Sequence, residues 1–142
     1  MTDQATSTDA QASVAMHIGE VASRTDLSVR SLRHWEEVGL LSATGRTDGG
    51  FRLYTENDVE KILAIRRMKP LGFTLEEMKH AMTHLETLRD PDASQKERDY
   101  AVAQLVDVRS EADERRQKLV SQLEMADEFI GILKRETESA WV

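Results

Sequence analysis

Residues 95–137 contain no proline and a single glycine, Gly131, and this run constrains the fold more than any other stretch. Within it Leu105, Ala112, Leu119, Ala126 and Leu133 recur every seven residues, while Val102, Val108, Leu123, Phe129 and Ile130 widen the stripe. A seven-residue apolar interval on an unbroken chain marks a long helix whose seam faces another helix. At a helical rise of ~1.5 Å per residue the run would extend about 60 Å, too long to bury itself on a small head. A coiled coil with a second copy accommodates it, with Leu105, Val108, Ala112, Leu119, Leu123, Ala126, Ile130 and Leu133 as the expected dimerisation residues. The alternative is a two-helix hairpin within one chain, but no turn signal falls inside 95–130.

The stretch before the rod reads as a string of short elements. Residues 1–15 are small and polar and are expected to form a disordered arm. Ile18, Val21 and Ala22 share one face of a short helix that ends near Thr25. Asp26-Leu27 turns the chain, and Ser28 is placed to cap a second helix running to Val38, with Val29, Leu32 and Trp35 or Val38 facing inward. Two short helices around a tight turn describe a helix-turn-helix. Residues 42–50 are turn-rich, and Phe51-Arg52-Leu53-Tyr54 alternates as a strand does, so a small hairpin, or wing, is predicted. Thr55 caps a third helix with Val59, Ile62, Leu63 and Ile65 buried, Pro70 ends it, and Thr74-Leu75-Glu76-Glu77 is a capping box for a fourth helix to about Thr83. The expected layout is mainly α: an arm (1–15), a winged helix-turn-helix head (16–90), a long coiled-coil helix (93–137) and a short tail (138–142).

The second helix and the wing carry the candidate chemistry. Arg30 and Arg33 lie three apart, on one helical face, followed by His34 and Trp35. An arginine fork pairs two acceptors on a guanine edge or bridges phosphate oxygens, and ring N–H groups donate to phosphates. Trp35 is equally suited to core packing beside Leu32. Arg46 and Arg52 on the wing would reach backbone phosphates, and Arg66 in the basic end of the third helix is a further candidate. The net charge of −7 looks unsuited to a polyanion, but its distribution is not. Residues 24–69 hold nine basic and seven acidic side chains, and residues 84–142 hold nine and fourteen, so the acidic excess lies away from the candidate surface.

Four segments now point one way: IGEVA (18–22), SVRSLRHWEEVGLL (28–41), GFRLY (50–54) and LGFTLEEM (71–78). In this order they resemble the MerR family of bacterial transcription regulators over about residues 17–83. The resemblance implies a winged helix-turn-helix head, a homodimer joined by antiparallel C-terminal helices, and double-stranded promoter DNA as partner. It implies a palindromic operator between overspaced promoter elements, which the dimer bends and untwists so that RNA polymerase is served indirectly. By motif, Arg33, His34 and Trp35 match recognition-helix contacts, Phe51 and Arg52 match wing contacts, and Arg66 matches a phosphate-contacting arginine; Ser28 and Arg30 complete the expected DNA-binding set. The chain departs from the family in having His34-Trp35 where two tyrosines are usual and Phe51 where the wing ring is often tyrosine. It has no cysteine, which removes the thiol ligands of the metal- and redox-sensing branches. The effector is left open.

Other classes fit less well. Glu76, His80 and His84 recur at intervals of four and could present a helical metal set, but a plain polar stripe is the better account and no metal is expected. No cofactor motif, phosphate-cradling loop or nucleophile-base arrangement is present, so no enzymatic activity and no cofactor are expected. No run approaches the ~20 apolar residues of a membrane span, and a cytoplasmic protein is expected. An architectural, excisionase-like DNA binder or a coiled-coil interaction module stands as the alternative to a promoter switch.

Overall fold

The computed structural model describes residues 15–141; the arm expected over 1–15 lies outside them except for Ala15. Five α-helices and a two-stranded hairpin follow in order: α1 (Ile18–Thr25), α2 (Val29–Glu37), β1 (Gly45–Arg46), β2 (Arg52–Leu53), α3 (Glu56–Met68), α4 (Leu75–Arg89) and α5 (Gln95–Ser139). A 3-10 turn, Lys69–Leu71, joins α3 to α4.

The caps set these boundaries. Ser28, Thr55, Thr74 and Ser94 each accept a hydrogen bond from the backbone N–H three residues on, satisfying a donor that the first helical turn leaves free. At Thr55 and Thr74 the bond is reciprocated, by Asp58 and Glu77, closing two capping boxes. Asp26 ends α1 in the left-handed conformation, φ 56°, which lets the chain reverse into α2 within three residues. At the end of the 3-10 turn Gly72 takes φ 78°, a value that favours glycine.

Sixteen buried apolar residues make the core. Val21 from α1, Leu32 and Trp35 from α2, Ile62 and Ile65 from α3, and Phe73, Met78 and Met82 around α4 meet there, with Leu40, Leu41 and Tyr54 supplied by the connections. Met16, ahead of the first helix, is also buried and forms an antiparallel bridge with Tyr54, which extends the hairpin by a third short segment.

Two features depart from the sequence reading. Helix α4 continues to Arg89, six residues beyond the expected end near Thr83. Nothing in 83–88 breaks a helix, and the stop comes only at Asp90, held extended by the following Pro91. The rod is helical to Ser139, two residues beyond the expected limit. Its near end is not free: Ala101 is fully buried, and Val108 and Ala112 pack against the core of the same chain. Three of the expected dimerisation residues, Leu105, Val108 and Ala112, therefore sit on or beside the head's own surface, because α4 lies along that part of the seam.

Asp58 is 1% exposed. Its carboxylate accepts hydrogen bonds from the Thr55 N–H and from the Thr44 hydroxyl at the root of the hairpin. Replacing it by alanine strands both donors, which costs about 1–3 kcal/mol. Asp58→Ala should therefore lower the urea midpoint with an unchanged dependence on denaturant concentration.

Candidate nucleic-acid interface

Helix α2 is divided cleanly by its periodicity. Leu32 and Trp35 point into the core, whereas Arg30, Arg33, His34 and Glu37 are exposed and together line a shallow depression on the outer surface. Ser28 caps the helix and shares a hydrogen bond with the Ser31 hydroxyl, which holds the N-terminus at the edge of the same face. Trp35 is 3% exposed, and the Lys69 ammonium lies 5.6 Å from its ring centroid. Of the two roles open to Trp35, the structure displays packing, and its neighbour His34 is the ring left on the surface.

The wing projects beside α2. Arg46 pairs with Arg52 and Gly45 with Leu53 in antiparallel register, and residues 47–51 close the loop. Gly50 adopts φ 84° at the turn, and the Thr47 hydroxyl accepts from the Phe51 N–H at 3.1 Å. Phe51, at the tip of the wing, is 69% exposed. Arg46 is exposed and donates to the Gly50 carbonyl at 3.1 Å, so its guanidinium is held along the loop.

Arg52 is different. Its Nε forms an ion pair with Glu36 of α2, whose side chain is only 8% exposed. The other Glu36 oxygen accepts from the Tyr54 hydroxyl. One buried carboxylate thus fastens strand β2 to the inner flank of α2 at two points and sets the angle between helix and wing. Arg52 is 37% exposed at its side chain, which leaves part of the guanidinium at the surface. Arg66, at the end of α3, is exposed and donates to the Thr25 carbonyl at 3.1 Å, tying the C-terminus of α1 to α3.

Arg30, Arg33, His34, Arg46 and Phe51 thus lie on the exposed face of α2 and its adjoining wing, with Ser28 and part of Arg52 at the margins. Three residues that the sequence reading passed over also belong to this region. Glu37 stands on the exposed face four residues from Arg33, a spacing that was available in the sequence. Glu36 and Tyr54 form the clamp, and no sequence pattern pairs residues eighteen apart across a turn. Among the described residues, Glu76, His80 and His84 included, no group of three His, Cys, Asp or Glu side chains converges on one point. The His80 and His84 rings instead meet edge to face with centroids 4.5 Å apart, and His84 stacks in the same manner on Tyr100 at 5.6 Å. Burial, and secondarily the charge of His80, push the His84 imidazole below its ordinary value. Among the described residues no helix is long and apolar enough to cross a membrane.

Two short helices, a wing and an exposed basic face define a winged helix-turn-helix. Residues 16–85 match the model of the MerR HTH regulatory protein family. The chain is 47% identical over 68 residues to the HTH-type transcriptional regulator YfmP of Bacillus subtilis, covering 47% of this chain and 49% of YfmP. It is 44% identical over 73 residues to the nodulation protein NolA of Bradyrhizobium sp., covering 51% of this chain and 31% of NolA. The chain thus spans less than half of these relatives' length. A crystal structure of a MerR-family transcriptional regulator from Bacillus cereus superposes with a TM-score of 0.57 at 27% identity, over 89% of this chain and 82% of that one. The chain belongs to the MerR family.

The clamp has a titration consequence. Burial, and then the hydrogen bond to Glu36, raise the Tyr54 hydroxyl well above its ordinary value of 10.0. A group whose folded value is raised contributes stability that is complete below the unfolded value and lost as pH rises past it. Stability should therefore fall as pH climbs above 10, and the fall should be shallower in Tyr54→Phe, as read from urea midpoints across that range.

Proposed function

We propose that this protein is a sequence-specific DNA-binding transcription regulator that works as a homodimer on a palindromic promoter site. The observation that carries the reading is the exposed face of α2, Arg30, Arg33, His34 and Glu37, beside a wing held at a fixed angle by the Glu36 clamp. In this reading α2 enters the major groove. Arg33 and Arg30 present forks to guanine edges or phosphates, His34 donates to a phosphate, and Glu37 can accept from a cytosine amino group. Arg46 and the free part of Arg52 approach phosphates flanking the groove while Phe51 lies against the sugar backbone. Arg66, already bonded to Thr25, adds positive charge behind the helix-turn-helix.

Dimerisation completes the geometry. Beyond Ala112 the seam of α5 is bare: Leu119, Leu123, Ile130 and Leu133 are 44–61% exposed. Pairing this stretch with its antiparallel copy would bury those side chains and hold two recognition helices apart for successive major grooves of a two-fold symmetric site. Regulation by bending and untwisting the site would reach RNA polymerase indirectly, through the spacing of the promoter elements, with deformation energy in place of direct contact. Its place of action is then the cytoplasm, where its DNA lies. No catalytic step is assigned to the chain.

Selection of bound fragments from genomic DNA, followed by binding titrations, tests the reading. Arg33→Ala should weaken the selected site by about 1–3 kcal/mol and relax preference at one base pair. Arg46→Ala should weaken all sequences alike and reduce the salt slope by about one. If both variants lose equal affinity for selected and random DNA, α2 does not read bases and the assignment fails.

A further inference from the structure

The flank of α4 carries a hollow that lies apart from the face of α2 and the wing. It measures about 370 Å³ and lies between α4 and the near half of α5. Phe73 and Val108 form an apolar floor, His80 stands at one wall, and Glu76, Asp107 and Glu111 rim the opening. At the other end of the same rod Trp141 is 91% exposed, the most exposed of the large hydrophobic residues among those described.

We propose that Trp141 of a second copy fills this hollow, so that the rod of each subunit is fastened to the head of the other. The proposal rests on the dimer described above and specifies where the rod's end goes. The bare part of the seam runs from Leu119 to Leu133, and Ala126 is its midpoint. A parallel pairing would bring together residues 101–112 of the two chains, where α4 already covers the seam. An antiparallel pairing avoids this, setting Leu119 against Leu133 of the second copy and Ala126 against its counterpart. Trp141, fifteen residues beyond the crossing, then falls level with Glu111, fifteen residues before it. Moving the crossing by two residues either way shifts that level only to Asp107 or Arg115. Within that interval Asp107, Val108 and Glu111 line the hollow.

The obstacle that makes room for the hollow also directs the rod's end towards it. Helix α4 and the 3-10 turn lie over the seam up to Arg115. The Arg115 guanidinium stacks 4.2 Å from the Phe73 ring centroid, and it pairs with Glu77 at 2.9 Å and bonds to the Leu71 carbonyl. A second rod arriving along the bare seam meets this block and must pass on one flank. Residues 104, 107 and 111 of α5 lie on such a flank, next to the seam, and they line the hollow. An indole suits the site chemically, because its body is apolar and its edge carries one N–H donor for a rim of carboxylates.

Cross-linking of the full-length chain tests this, since the absence of cysteine makes every introduced thiol unique. Trp141→Cys combined with Asp107→Cys, treated with a short bis-maleimide, should give a covalent dimer, and neither single-thiol chain should. Positions 107 and 141 lie about 51 Å apart along one helix, so the link can only join two chains. Sedimentation equilibrium is run alongside, together with acrylamide quenching of the unmodified chain. That chain has two tryptophans, and Trp35 is already buried, so a filled hollow should leave neither readily quenched. An unmodified chain that sediments as a dimer yet keeps one tryptophan freely quenched overturns the docking and leaves the dimer standing, and a dimer of the two-thiol chain that forms no 107–141 link overturns the antiparallel level that brings position 141 to the hollow. A chain that sediments as a single copy overturns the dimer itself, and the docking with it.

Discussion

A single carboxylate, that of Glu36, decides whether this head can present a surface at all. It is nearly sealed from solvent on the inner flank of α2, with the Tyr54 hydroxyl on one oxygen and the Arg52 guanidinium on the other. A buried charge is tolerated only when paired, and removing either partner leaves the other uncompensated. The wing has just two residues in each strand and could not hold an orientation by its ladder alone. Its position is set from outside, by Glu36 at one strand and by the Thr44–Asp58 bond at the other. Helix α2 and the wing are consequently fixed to one another. Rigid positioning of donors is what phosphate and base contacts demand of a small protein.

The same economy governs the rod. A seven-residue apolar repeat continues from Leu105 to Leu133, yet its two halves meet different surroundings. The near half is covered by α4 of its own chain, with Arg115 stacked on Phe73 where the cover ends. The far half exposes its apolar side chains to solvent. A helix with one covered and one bare half joins a head rigidly to whatever pairs with the bare half.

Much of this could be read from residues alone. Cap signals at Ser28, Thr55 and Thr74 located three helix starts because a side-chain oxygen three residues before a free N–H is a local device. The exposed face of α2 followed from spacing, since Arg30, Arg33 and His34 share a side whenever the segment is helical. Helix α4 runs past Thr83 because residues 84–89 hold no helix breaker, and the stop comes only with Pro91. Trp35 could not be assigned, since an indole at a helix edge is equally suited to packing and to hydrogen bonding. The Glu36 clamp and the Met16–Tyr54 bridge left no trace in sequence spacing, as both join segments remote along the chain.

By itself, then, the order of residues determined the helices, the turn between the first two, the hairpin, the rod and the side of α2 that carries cations, because each depends on interactions within a few residues. Only the tertiary structure decided which charges remain exposed and which are consumed internally, and where the rod's seam is already occupied. Those outcomes depend on distances between segments far apart in the chain, and such distances are set by how the core packs.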